Sequence, residues 1–320
     1  MLKRNRIKPF RTDGGASSSD EVVYISSTLR KDRTPIPDKR FTLPPKYGVT
    51  AQSSDTTDEY EYNGHEYVDL GLPSGTKWAK ANVGAENETD AGLYFAWGET
   101  TGYTASQVSG SATPHKDFSW DDYALTEDNG STMSKYNATD GLTHLELADD
   151  AAAVNMGGDW HMPNVAQCFE LFKETKNGFV TSAGAFTEYV WDDTEGCSIP
   201  TETTATISGW NTAGYFFFKN SYTSVTDAIT AEDYLFVPAA GLCRDGEVRG
   251  VGNGSSVWAS ALNSENVEVA WFFGFGSGEA GVGSNYHRGN GKAVRGVIGQ
   301  MDEITDETTP GGGGESGPIK

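Results

Sequence analysis

The stretch that decides the fold is NGHEYVDLGLPSGTKWAKANVG, residues 63–84. Within it, HEYVDLGL (residues 65–72) alternates polar and apolar side chains in the way that a half-buried strand does. The turn sequence PSG then separates this strand from TKWAKANVG (residues 76–84), which has the character of a second strand. The stretch therefore predicts a β-hairpin that places Trp78 in a hydrophobic core.

Five more short phrases of the same kind follow along the chain. They are GLYFAWGET (92–100), GGDWHMPN (157–164), LFVPAAGL (235–242), VWASAL (257–262) and AVRGV (293–297). Together with the first stretch they resemble the Fibrobacter/Bacteroidetes major paralogous domain, whose relatives adopt a C-type-lectin-like fold. The resemblance implies an α+β, β-rich domain with two helices and long loops, in which Trp160 belongs to the core. His161 stands where that family usually has arginine, and we expect a hydrogen-bonded structural histidine there.

The sequence predicts two helices. LELADDAAAVNM (145–156) has a face of small apolar residues and stops at a Gly-Gly pair. VAQCFELFKET (165–175) follows Asn164, a good N-cap, and carries apolar residues at helical spacing. Two polar stretches without periodicity, residues 101–135 and 227–233, are predicted to be surface loops.

The 320 residues divide into three predicted segments: an extended anchoring arm and linker (1–60), the lectin-like domain (61–299) and an acidic, glycine-rich tail (300–320). The arm is rich in proline and serine and contains one strand-like run, EVVYISSTL (21–29). Such a run favours addition to the sheet edge of a neighbouring protein. The residues predicted to make these assembly contacts are Val22, Val23, Tyr24, Ile25, Arg30 and Arg33.

The formal net charge of −21 is unevenly distributed. Residues 1–46 carry eleven Lys/Arg against five Asp/Glu, a balance of +6, whereas residues 47–320 carry thirteen against forty, a balance of −27. An acidic body does not favour nucleic acid as a partner, and the basic arm fits an acidic protein surface better. The sequence contains no apolar run of about 18 residues, so no membrane insertion is expected.

The residue types that support catalysis or metal binding are scattered. Cys168, Cys197 and Cys243 form no CxxC motif and are predicted to be small apolar core residues, as in a protein made in the reducing cytoplasm. His65 and Glu66 are adjacent, so a strand points them to opposite faces. The chain also lacks the paired cysteines of formylglycine-generating enzymes and the short calcium motifs of sugar-binding C-type lectins. We therefore expect no enzymatic activity, no cofactor and no metal site.

Residues 257–297 resemble the C-terminal segment that diversity-generating retroelements vary. The resemblance implies a fixed scaffold and an exposed set of interchangeable, ligand-facing residues. These are Ala259, Ala261, Asn263, Phe272, Gly274, Ser284, Asn285, Tyr286, His287 and Asn290. Aromatic and small polar residues suit such a surface. The alternative is that these loops merely cover the core, as in ordinary paralogues of the domain.

These observations together predict a virion structural protein of a phage that infects Bacteroidetes, of the crAss-like kind, assembled in the host cytoplasm. The arm would attach to capsid, tail or a trimeric fibre, and the lectin-like domain would bind a host-surface glycan or protein, or decorate the particle. The basic start, MLKRNRIKPFRTDGG, lacks the apolar stretch of a secretory signal. This weakens the main alternative, a bacterial cell-surface or fimbria-associated binding protein. A relative of formylglycine-generating enzymes is the third interpretation.

Overall fold

The computed structural model describes residues 60–130 and 132–301. The predicted arm and the predicted tail lie outside the described residues, except for the few at their inner ends. All the assembly contacts predicted for the arm lie outside them too: Val22, Val23, Tyr24, Ile25, Arg30 and Arg33. Among the described residues, no helix is long and apolar enough to cross a membrane.

The described chain is β-rich, which confirms the predicted predominance of strands. Its strands are β1 (Tyr60–Tyr62), β2 (His65–Val68), β3 (Lys77–Ala79), β4 (Tyr94–Phe95), β5 (Thr126–Glu127), β6 (Thr132–Met133), β7 (Thr175–Val180), β8 (Ala185–Asp192), β9 (Cys197–Thr206), β10 (Gly214–Lys219), β11 (Tyr234–Pro238), β12 (Leu242–Arg244), β13 (Glu247–Arg249), β14 (Ser255–Leu262), β15 (Val269–Phe275), β16 (Ala280–His287), β17 (Lys292–Ala293) and β18 (Val297–Ile298). Its helices are α1 (Ala105–Val108), α2 (Ala151–Met156), α3 (Val165–Lys173) and α4 (Val225–Thr230), with single 3₁₀ turns at Trp120–Asp122 and Asp128–Gly130.

The strands form one large sheet and three small ones. The large sheet has ten strands in the order β11-β10-β7-β8-β9-β16-β15-β14-β17-β4. A four-stranded sheet, β1-β2-β3-β18, pairs the first strands of the described body with its last one. The hairpins β12-β13 and β5-β6 stand apart from both.

The hairpin predicted from residues 63–84 is present. Strand β2 pairs with β3 in antiparallel fashion, with Val68 opposite Trp78. The Gly75 amide donates to the Leu72 carbonyl at 2.8 Å and closes the turn, where Gly75 has a φ of +75°. The Trp78 side chain is fully buried, as predicted. The last described strand, β18, pairs with the edge of β3 that faces away from β2, so the hairpin and the end of the body belong to one sheet.

The two central strands β14 and β15 are covered on both faces. Val257 of β14 and Phe273 of β15 pack with α3 residues such as Phe172 in one core cluster. Trp258 and Phe272, the next residues along each strand, pack in a second cluster with Trp97 and Trp160. Successive side chains of a strand point to opposite faces, so neither face of these two strands is left for solvent.

The second predicted helix is confirmed, and the first is shorter than predicted. Asn164 caps α3 by accepting the amide of Gln167 at 2.7 Å. Helix α2 begins only at Ala151, because the Asp150 carboxylate accepts the amide of Ala153 and acts as the N-cap. The residues before it do not extend the helix, since the Leu145 amide donates to the Ser260 carbonyl of β14. A helix over 145–156 was therefore wrong in its first half.

The prediction of surface loops at 101–135 and 227–233 was also wrong. The first stretch contains helix α1, two 3₁₀ turns and the β5-β6 hairpin, and it contributes Phe118 and Tyr123 to a third core cluster. The second stretch overlaps helix α4, which Ser224 caps. Both contain polar residues that serve as caps and turn anchors, so low hydrophobicity did not mean lack of structure.

The three cysteines and His161 are buried or half-buried. Cys168 and Cys243 are buried, as predicted, and Cys197 is half-buried; all three are free thiols. The His161 ring is buried, and its Nδ1 lies 2.9 Å from the Met162 carbonyl oxygen. The expectation of a hydrogen-bonded structural histidine is confirmed for that nitrogen.

Candidate functional site

The ten predicted ligand-facing residues divide into two groups. Five are half-buried or exposed: Asn263, Ser284, Asn285, Tyr286 and His287. The other five are buried: Ala259, Ala261, Phe272, Gly274 and Asn290. The prediction of an exposed face is wrong for the four residues on β14 and β15, because both strands are enclosed on both faces. These four are Ala259, Ala261, Phe272 and Gly274. Asn290 is on neither strand, because it lies after β16.

Asn290 lies in the wall of a cleft at the end of β16. This cleft has a volume of about 270 Å³ and is formed by three chain segments: the turn after Phe118, the tip of the β12-β13 hairpin and the loop after His287. We call it the Trp120 cleft. It is lined by Ser119, Trp120, Arg244, Asp245, His287, Gly289 and Asn290.

The aromatic wall of the Trp120 cleft is held in a defined orientation. The Trp120 ring lies edge-on to the His287 ring, with centroids 5.2 Å apart, and edge-on to Tyr123, with centroids 5.7 Å apart. The turn that carries Trp120 is fixed by Asp122, whose carboxylate accepts the backbone amides of Asp117 and Ser119 at 2.6 and 3.0 Å. A half-buried tryptophan on such a rigid turn offers an apolar contact surface at low entropic cost.

The opposite wall is the tip of the β12-β13 hairpin. Asp245 and Gly246 have φ angles of 52° and 74°, the positive values that a tight two-residue hairpin turn requires. The Gly246 amide donates to the Asp117 carbonyl at 2.8 Å, which ties this tip to the turn that precedes Trp120. Two walls of the cleft are thus joined by the backbone itself.

Two polar groups of the cleft have unused hydrogen-bonding capacity. The Asn290 side chain is only 5% exposed, and its amide oxygen has no hydrogen-bond partner among residues 60–130 and 132–301. The Nε of Arg244 is buried and likewise makes no hydrogen bond within that part of the chain, although it lies 3.4 Å from an Asp245 carboxylate oxygen. Buried polar groups are rarely left unpaired, so these two atoms leave hydrogen-bonding capacity at the wall of the cleft that the described residues do not use.

Arg288, the residue after His287, holds the neighbouring segments together through hydrogen bonds. Its side chain is fully buried, and its Nε donates to the Tyr123 hydroxyl at 2.7 Å. Its two terminal nitrogens donate to the carbonyls of Lys135, Tyr136 and Val267 at 2.6 to 3.1 Å. One buried cation therefore fixes the end of β16 against the 120–137 segment.

The other exposed members of the predicted set lie farther back on β16 and on the loop that follows β14. Asn263 donates to the Ser284 hydroxyl at 2.9 Å, and the Tyr286 ring packs edge-on against Phe272 with centroids 5.1 Å apart. The structure does not place these residues in the Trp120 cleft, which contains only His287 and Asn290 of the ten.

Lys292 occupies an aromatic enclosure beneath Tyr286. Its Nζ lies 3.6 Å from the Tyr286 ring centroid, 3.9 Å from that of Phe272 and 4.8 Å from that of Trp258. The side chain is fully buried, and Nζ has no hydrogen-bond partner among the described residues. Burial lowers the pKa of the Lys292 amine well below its ordinary value of 10.5.

Replacing Lys292 with methionine is expected to stabilise the protein at neutral pH by about 1–4 kcal/mol, because a buried amine that makes no hydrogen bond with a described residue gives way to an apolar group of similar volume. In the unfolded chain the amine keeps its proton up to pH 10.5, whereas in the folded chain it loses it far earlier. The unfolding free energy of the wild type therefore rises as the pH rises towards 10.5. Between the folded and the unfolded pKa of Lys292, the difference in unfolding free energy between Lys292→Met and the wild type falls by about 1.4 kcal/mol per pH unit.

Urea unfolding of the wild type and of Lys292→Met from pH 7 to pH 10 measures this difference in unfolding free energy. The exposed Lys173, exchanged for methionine in the same way, is the control and should show a gap that stays small at every pH. A Lys292→Met protein that is less stable than the wild type at pH 7, or a difference in unfolding free energy that does not change with pH, contradicts the expectation.

A larger cavity of about 850 Å³ lies between the β2-β3 hairpin and the loop after β3. No tryptophan, tyrosine or phenylalanine lines it, and its walls carry the carboxylates of Glu66, Glu86 and Glu88 against the single ammonium group of Lys80. Recognition sites combine apolar or aromatic contact area with a few directed polar groups. The Trp120 cleft meets that description better despite its smaller volume.

Five residues of the Trp120 cleft were not anticipated from the sequence: Ser119, Trp120, Gly289, Arg244 and Asp245. One local signal was available for the last two, since Asp245-Gly246 within LCRDGEVR is a strong hairpin-turn sequence. Nothing local marks Trp120 as a neighbour of His287, because 167 positions separate them in the chain.

Comparisons with known proteins add no relative to this description: no protein-family model, no curated protein and no solved structure matches the chain.

Proposed function

We propose that this protein is a recognition protein whose described body is C-type-lectin-like and binds a host-surface glycan or protein through the Trp120 cleft. We also propose that residues 1–60 anchor it to other proteins of a phage virion. The single observation that carries the recognition role is the cleft itself, where a fixed tryptophan lies beside two polar groups that make no hydrogen bond with a described residue.

The composition of the cleft supports binding rather than catalysis. Its titratable side chains are Arg244, Asp245 and His287, and no serine or cysteine of the described segments is hydrogen-bonded to the His287 ring. Trp120 offers a flat apolar surface, while Asn290 and Arg244 offer directed hydrogen bonds. This is the combination by which proteins hold small polar ligands in a fixed orientation.

The lectin-like assignment is supported by the places of its signature residues. Trp78 and Trp160 are fully buried, and α3 begins directly after the Met-Pro-Asn sequence at 162–164. The closing phrase AVRGV at 293–297 lies next to the first one, since Val297 is opposite Trp78. Trp78 and Val297 share one core cluster, so phrases far apart in the chain pack against each other.

The proposed place on a virion accounts for the uneven charge. A basic segment of balance +6 next to a body of balance −27 is suited to docking on acidic protein surfaces, while the body stays soluble and faces outward. Many copies on one particle would turn a weak individual contact into firm attachment. The bound partners would be capsid, tail or fibre proteins on one side and the host surface on the other.

Replacing Trp120 with alanine is expected to weaken adsorption of the purified protein to host cells by about tenfold or more, because an aromatic anchor at the centre of a binding site dominates its affinity. The measurement is flow cytometry of fluorescently labelled protein on the host bacterium. The matched control is Trp191→Ala, since Trp191 is also half-buried but lies outside the cleft.

Both variants are first checked for an intact fold by circular dichroism and thermal unfolding. Equal adsorption of the two variants contradicts a binding role for the Trp120 cleft. Placement on the virion is tested separately, by immunogold labelling of purified phage particles. Labelling confined to the bacterial surface would instead favour a cell-surface or fimbria-associated protein.

A further inference from the structure

The geometry points to an acidic saccharide as the ligand of the Trp120 cleft, with its carboxylate held by Arg244. This inference rests on the proposed function, because it names the ligand class of the same site. It is carried by the difference between two arginines of one hairpin and by the unpaired amide oxygen of Asn290.

Arg244 and Arg249 lie on paired strands of the β12-β13 hairpin and have the same side-chain exposure, 43%. Arg249 is engaged, because both its Nε and one terminal nitrogen lie 2.9 Å from a carboxylate oxygen of Glu247. Arg244 is not engaged in this way: only its Nε approaches a carboxylate, that of Asp245 at 3.4 Å. Its terminal nitrogens form no hydrogen bond with a described residue, so the planar fork is available to a ligand.

A free guanidinium fork matches a carboxylate better than it matches a hydroxyl group. The two groups form parallel, charge-assisted hydrogen bonds, which are stronger than neutral ones and also fix orientation. Asp245 does not cancel this preference, since its own side chain is 63% exposed and well solvated.

The rest of the cleft fits the sugar ring that would carry such a carboxylate. Trp120 presents an aromatic surface for the apolar C–H face of a pyranose, and the Asn290 amide oxygen accepts a ring hydroxyl. A cleft of about 270 Å³ lies just below the usual volume range of ligand pockets, so it would hold a short part of a saccharide and leave the rest in solvent.

The acidic character of the body does not exclude an anionic ligand. At physiological ionic strength the Debye length is about 8 Å, so carboxylates beyond the cleft are largely screened from a ligand inside it. The charged groups within the lining are Arg244 and Asp245, and Arg244 alone can pair with a carboxylate.

The test uses the full-length protein and two matched pairs of probes: 3′-sialyllactose with lactose, and trigalacturonate with its carboxyl-reduced trisaccharide. Isothermal titration calorimetry is expected to show that the acidic member of at least one pair binds about tenfold or more tightly than its neutral partner. Arg244→Gln should abolish this preference, and Arg249→Gln, the matched control, should preserve it. Trp120→Ala should weaken the acidic and the neutral member alike.

Three results would overturn the inference, and they differ in what they say of the proposed function. Equal binding of acidic and neutral members, lost in Trp120→Ala, leaves the recognition role intact. Binding of no saccharide, with Trp120-dependent adsorption to cells retained, points to a ligand of another class. If no saccharide binds and Trp120→Ala adsorbs to cells as well as the wild type does, both the inference and the proposed function are wrong.

Discussion

An Arg288→Ala variant is expected to lose about 3–5 kcal/mol of unfolding free energy, the largest single-residue effect that we anticipate outside the aromatic core. The substitution removes four hydrogen bonds at once and leaves the Tyr123 hydroxyl and three backbone carbonyls without their donor. Each group left unpaired in a buried place costs about 1–3 kcal/mol, although relaxation and entering water recover part of the sum.

Equilibrium unfolding in urea measures this loss, with Arg288→Lys as the variant that keeps the charge. Lysine cannot reproduce the planar fork that reaches three carbonyls, so an intermediate loss is expected. The exposed Arg249→Ala is the control, and its effect should stay below about 0.5 kcal/mol. If Arg288→Ala unfolds at the same urea concentration as the wild type, the described network does not stabilise the protein.

The same network predicts a link between stability and binding. Arg288 lies between His287 and Gly289, and its backbone carbonyl accepts the Trp97 amide at 2.8 Å. Loosening this residue therefore frees one wall of the Trp120 cleft. We expect Arg288→Lys to reduce adsorption to host cells at temperatures where the protein is still folded.

Replacing Phe272 with alanine is the second change for which we expect a large effect, a loss of about 3–5 kcal/mol. The Phe272 ring is fully buried and packs edge-on against Trp258 and Tyr286. Its centroid lies 3.9 Å from the Nζ of Lys292. Truncation leaves a cavity in the core cluster that Phe272 shares with Trp97, Trp160 and Trp258, and the surrounding side chains can fill it only in part.

Tyr286→Ala is the matched comparison, because Tyr286 lies on the adjacent strand but is only half-buried. Its expected loss is smaller, about 1–2 kcal/mol. Urea unfolding distinguishes the two. A stable Phe272→Ala protein with impaired adsorption would restore the original expectation that Phe272 faces a ligand.

The parts of the fold that the sequence predicted correctly depend on local signals. The residue 63–84 hairpin has a turn sequence between two alternating runs, and α3 has an N-cap followed by an apolar face. Helix α2 was predicted too long because its composition favours a helix from Leu145 onward, whereas pairing of that backbone with β14 overrides the propensity.

The recognition surface was harder to predict, because burial depends on what covers a strand. The exposed face was predicted from the resemblance of residues 257–297 to a diversified segment, and such a resemblance does not report what covers a strand. In the structure, Val257 and Trp258 point into different core clusters, since layers of side chains cover the central strands on both faces. The Trp120 cleft unites segments near 120, 245 and 288, so no single stretch of sequence reveals it.

The pairing of β3 with β18 has a practical consequence. Because the first and last strands of the body belong to one four-stranded sheet, its two ends emerge from the same small area. A domain with adjacent ends can be inserted into a surface loop of a host scaffold without stretching either junction. The segment from Tyr60 to Met301 is thus suited to insertion into a scaffold protein. Residues of the cleft could then be varied while the scaffold protein attaches the domain to a surface.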